Sequence, residues 1–171
     1  IAATVFSSLA AAAPIRVELE VVTTGGVDVL QIKDNPNPCD GVTATSSCIE
    51  VAEGKTPYMI FKLKDACEGG SGDPEYALSG FRITQVEKVW PTMANPLNAV
   101  VASDFKANPS TGEVNFNSGN NNKTKKKLKF KNRNSNAYSV YYEITAQHCD
   151  SSSDKDDLHL DPEIRNRGGA N

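Results

Sequence analysis

The sequence predicts an all-β chain: an antiparallel β-sandwich, immunoglobulin-like or jelly-roll, of about eight strands, with a barrel as the next choice. Three observations carry this. Apolar residues recur at period two in several separate runs. Gly, Pro, Asn and Ser punctuate the chain between those runs, with 12 Gly and 9 Pro. No long stretch shows the 3.6-residue period of an amphipathic helix. At 171 residues, 39% hydrophobic and 23% charged, the chain suits one domain with its own core. We expect residues 1–13 as an apolar arm or signal remnant, 14–149 as the sandwich and 150–171 as a polar tail.

Ile1 to Ala13 is apolar and small, with Ala10 and Ala12 at the spacing of an export cleavage site and a bacterial cast of composition. It falls short of the roughly 20 residues that cross a bilayer. Kept in the mature chain, it would be an assembly arm, with Thr4, Val5, Phe6 and Leu9 filling pockets on a neighbour.

Ile15, Val17, Leu19 and Val21 alternate with Arg16, Glu18 and Glu20, a half-buried strand. Gly25-Gly26 turns the chain into a second strand, Val27 to Lys33, and the pair reads as a hairpin. Pro36 and Pro38 end it. Cys39 to Glu53 reads as a loop, Tyr58 to Lys64 as a strand, and Asp65 to Glu75 as a Gly-rich connection. Phe81, Ile83, Val86 and Val89 point inward along Ala77 to Trp90, with a slip near Gln85 that suggests a bulge. Ala99 to Phe105, Glu113 to Asn117 and Lys126 to Lys131 read as shorter strands. Ala137 to Cys149 is the densest β run and the expected centre of a sheet, with Tyr138, Val140, Tyr142 and Ile144 on one face.

The cysteines are Cys39, Cys48, Cys67 and Cys149, without a C-x-x-C pair. An even number in a turn-rich β chain favours two disulfides and an oxidising compartment, hence an extracellular, cell-surface or periplasmic protein. Three pairings are possible. We favour Cys39–Cys48, closing a short loop, and Cys67–Cys149, joining two strand ends.

The strongest local signal is basic. Lys123, Lys125, Lys126, Lys127, Lys129, Lys131 and Arg133 fall within eleven residues that hold no acid. Such a strip suits an anionic partner, or guards an edge strand against aggregation. Asp150, Asp154, Asp156 and Asp157 form an acidic loop directly after the central strand. Opposite charges at separate places favour head-to-tail contact between copies. Two histidines, no nucleophile elbow and no zinc or EF-hand spacing point away from an enzyme, and no cofactor or metal is expected. A net charge of −3 and sparse aromatics near the strip argue against specific nucleic-acid binding. The first expectation is therefore an exported, self-assembling structural subunit of filament or surface-layer type, meeting copies of itself or another surface protein. The alternative is a monomeric secreted module that binds an anionic glycan or surface partner through the strip.

Overall fold

The computed structural model describes residues 12–67, 75–87, 99–114, 127–150 and 152–169. In chain order these hold β1 (Ile15–Thr24), β2 (Val27–Asp34), β3 (Cys48–Val51), β4 (Tyr58–Leu63), β5 (Tyr76–Glu87), helix α1 (Ala99–Phe105), β6 (Lys127–Lys131), β7 (Ala137–His148), β8 (Leu158–Leu160) and β9 (Glu163–Arg167). One sheet has the order β2-β1-β4-β6. The other runs β3-β9-β7-β5, with β8 also paired to β7. Neither sheet closes into a barrel.

The chain is mostly β, as the alternation predicts, but its sheets are mixed rather than purely antiparallel. β1 lies parallel to β4 and β3 parallel to β9. Period-two patterning fixes which face is buried and carries no information on strand direction. After the hairpin β1–β2, whose two-residue Gly25-Gly26 turn has φ of 60° and 83°, the chain visits β3 in the second sheet and returns alongside β1. A connection of that length is what a parallel pair needs.

Two further differences have local causes. Ala99–Phe105 is a helix, not a strand. Its buried residues Val101, Ala102 and Phe105 follow helical spacing, whereas strand alternation would have buried the exposed Ser103. Lys106 ends the helix in the left-handed region at φ 52°. Its N–H donates to the Ser103 carbonyl (3.4 Å) and the Ala107 N–H to that of Ala102 (2.9 Å), a Schellman closure. The C-terminal residues also join a sheet. Ile144 faces Leu160 and Tyr141 faces Glu163, so one register with β7 runs through β8 and β9. Between them the Tyr142 N–H donates to the Pro162 carbonyl (3.0 Å), and Pro162 has no N–H to return.

The bulge near Gln85 is present, since the β5–β7 register shifts between Ile83 and Gln85. There the Ile83 N–H donates instead to the Gly112 carbonyl (2.9 Å), and a Cβ on Gly112 would strike the Ile83 oxygen. The inner faces of the two sheets meet in one core. Phe61 on β4 lies 5.7 Å from Phe81 and 5.5 Å from Tyr142, and Phe130 on β6 lies 4.5 Å from Phe81, ring to ring. Cys39 bonds Cys48 and Cys67 bonds Cys149, with Cα separations of 5.5 and 6.5 Å that fall in the range of ordinary disulfides. The pairings are those preferred from sequence and fit a chain that folds outside the reducing cytoplasm. Among the described residues no helix is long and apolar enough to cross a membrane.

Candidate functional site

β6 is an edge of the first sheet among the described strands. Leu128 and Phe130 enter the core, which leaves Lys127, Lys129 and Lys131 exposed on the outer face. The register extends this row inward. Tyr58 lies opposite Lys131, Ile60 opposite Lys129 and Lys62 opposite Lys127; on the far side of β4, Arg16 flanks Ile60 and Glu18 flanks Lys62. Residues paired in register share a face, so Arg16, Tyr58 and Lys62 join the three lysines. Tyr58 is 46% exposed, with the Lys129 ammonium 4.4 Å from its ring centre. Glu18 is held by Lys33 at 3.4 Å.

Lys62 and Lys127 stand directly opposite one another, a like-charge pair that costs stability. Arg16, Lys62, Lys127, Lys129 and Lys131 make no ion pair among the described residues. Arg133, past the end of β6, turns away toward α1, where its Nη1 donates to Ser103 Oγ at 3.4 Å. Sequence singled out the β6 lysines. It missed Arg16, Tyr58 and Lys62, whose signal was only an outward position on a neighbouring strand.

The acidic loop lies at the other edge of the same sheet. Lys155, in the midst of Asp154, Asp156 and Asp157, reaches β2 and donates to Asp28 Oδ2 at 3.1 Å; its ammonium also pairs with Glu75. Tyr76 Oη and Thr23 Oγ1 donate to the Asp28 carboxylate at 2.9 and 2.7 Å. Bonds from Thr23, Tyr76 and Lys155 hold the Asp28 carboxyl below its usual value, and the Lys155 bond does the same for Glu75. Burial, then the bond to Asp28, pushes the Tyr76 hydroxyl up to about 12. Bonds to Glu75 and Asp28 raise Lys155. Asp150 is set apart, its carboxylate accepting from the Ser152 hydroxyl (2.7 Å) and N–H (2.9 Å), which lower its pKa.

Beside this latch is a cleft of about 470 Å³ whose walls include Glu20, Asp28, Asp65, Glu75, Tyr76 and Lys155. His148 Nε2 is 3.6 Å from Glu75, and His159 Nδ1 is 3.4 Å from Glu143, so the two histidines are in different places. Among the described residues no three His, Cys, Asp or Glu side chains are grouped to hold a metal ion.

A buried polar cluster escaped sequence reading altogether. Asp104 of α1 is 3% exposed, and its Oδ2 accepts from Tyr138 Oη (2.7 Å), Ser135 Oγ (2.9 Å) and the Ser135 N–H (3.0 Å). Burial first, then Asp104, drives the Tyr138 pKa far up. Asn132 and Asn166 bond each other nearby, at 2.7 and 3.3 Å. Thr4, Val5, Phe6 and Leu9, with Lys123, Lys125 and Lys126, lie outside the described residues.

A scan against protein-family models matches no family, and a search of the curated proteins returns no match.

Proposed function

We propose that the chain is an exported structural subunit, a two-sheet β-sandwich that associates head to tail with copies of itself. One observation carries the reading: the two edges of the first sheet bear opposite charge. Lys127, Lys129 and Lys131 stand at the β6 edge, and Asp154, Asp156 and Asp157 are pinned by Lys155 to β2, three strands away. A subunit charged this way attracts the next copy in a single orientation, and a heterologous contact repeats as a ring or a filament. β2 also offers Val27 and Val29, 64% and 43% exposed, which give the contact an apolar component. The apolar segment Ile1–Ala13 is assigned the part of an arm that reaches a neighbouring subunit. The ring contacts between Phe61, Phe81 and Tyr142 support the sandwich.

Light scattering after size exclusion of the non-reduced protein, with negative-stain microscopy, tests the reading. The mass is expected to rise with concentration above one chain, and to stay at one folded chain once residues 1–13 are removed. A monomer at every concentration, arm intact, overturns it.

A further inference from the structure

We propose that the outer face of β4 and β6 binds an acidic polysaccharide, with Tyr58 as the platform for a sugar ring and Arg16, Lys62, Lys127, Lys129 and Lys131 as contacts for its carboxylates. Protection of an edge strand accounts for lysines on β6. It accounts neither for Lys62 on the inner strand β4 nor for its position directly opposite Lys127. Two cations facing each other across a ladder repel until an anion lies between them. Alternate residues on a strand are roughly 6.7 Å apart and neighbouring strands about 4.8 Å, so these groups form a flat grid rather than a pocket. A flat grid fits an extended chain bearing a charge on each repeat.

The chemistry of the face selects among polyanions. Five cations outnumber the carboxylates beside them on β1, Glu18, which Lys33 already holds, and Glu20, which accepts from Gln31. Four of the five are lysines, point charges without the fork that grips phosphate in two bonds. Tyr58 is the exposed aromatic of the grid, and the Lys129 ammonium 4.4 Å from its ring centre swings off to a carboxylate when a sugar stacks there; a single-stranded nucleic acid would require a ring for each stacked base. Ile60 in the middle of the grid is 9% exposed and supplies no wedge for a lipid surface. The proposal does not rest on self-association, but the two use the same lysines, so polysaccharide and a second copy's acidic loop compete.

The probe is polygalacturonate, titrated calorimetrically into the intact protein at low salt, with neutral dextran, an oligothymidylate and phosphatidylglycerol vesicles as comparisons. Binding of polygalacturonate alone is expected, weakening steeply with salt because exposed charges are screened over about 10 Å at 0.1 M. Lys62→Gln should weaken it about threefold, as a partly screened charge contact does. Tyr58→Ala should weaken it about tenfold, with an unchanged melting transition showing that the fold is intact. The triple variant Asp154→Asn, Asp156→Asn, Asp157→Asn loses self-association in the assembly reading yet keeps polysaccharide binding, so failure of one reading leaves the other measurable. No binding of polygalacturonate, binding indifferent to both Tyr58 and Lys62, or preference for the oligonucleotide or the vesicles overturns the proposal.

Discussion

The Lys155 ammonium meets Asp28 Oδ2 at 3.1 Å, pairs with Glu75, and lies 5.8 Å from the centre of the Tyr76 ring. Both carboxylates titrate below their usual values of 3.8 and 4.5, so each favours the folded state while ionised. That contribution is complete above the ordinary carboxylate range and disappears as pH falls through the lowered values. Tyr76 runs the other way: raised to about 12, it contributes below the ordinary tyrosine value and loses that contribution as pH climbs toward 12. Lys155→Met should move the two carboxylates unequally. Glu75 owes its shift chiefly to Lys155 and should return close to normal, whereas Asp28 keeps its bonds from Thr23 and Tyr76 and should move less. Carboxyl-carbon NMR titration of both proteins measures this, and equal movement of the two groups would show that the bonds from Thr23 and Tyr76 carry no weight. The sequence shows Lys155 only as a cation in an acidic run. Its partners lie 127 and 80 residues away, a distance no local pattern spans.

At the scale of elements, α1 is fastened less by its own length than by Asp104. Seven residues are too few to hold a helix in water, so packing of Val101 and Phe105 and the bonds to Ser135 and Tyr138 must do it. Asp104→Ala would leave the buried Tyr138 hydroxyl without its acceptor and the half-buried Ser135 N–H without its side-chain partner, and should cost about 3 kcal/mol in urea unfolding. Tyr138→Phe should cost about 1 kcal/mol, and the double variant less than the sum, because both remove the same bond. Strict additivity would mean the two groups are not coupled. Strands whose apolar residues alternate or run together, β1, β2, β4, β6 and β7, are legible because each presents a buried face. Others are not. β3 holds four residues and reads as a loop in sequence, although Ile49 and Val51 are fully buried. β8 and β9 were masked by charge and by Pro162, which removes one donor without ending the pairing. The valines of α1 favour strands when context is ignored, so the sequence alone points to a strand where the helix stands.

At the scale of the whole molecule, a basic run and an acidic run of the sequence take distinct places once the sheets form. The β6 lysines were legible as a strip, and the acidic loop as a run, but their positions at opposite edges of one sheet depend on the parallel return of β4 beside β1. If that polarity drives association, it can be inverted and restored. Changing Asp154, Asp156 and Asp157 to Lys makes both edges basic; changing Lys127, Lys129 and Lys131 to Glu makes both acidic. Each variant alone presents like charges at every contact and should stay monomeric by light scattering. Mixed in equal amounts at low salt, the basic variant's edges face the acidic variant's edges, and an alternating assembly should form. Salt should dissolve it, since these groups are exposed and screened within a Debye length. Restored association of the mixture separates a charge-directed contact from mere loss of solubility in either variant. A mixture that stays monomeric while the unmodified protein assembles would place the contact on other groups, with the exposed Val27 and Val29 of β2 the next to change.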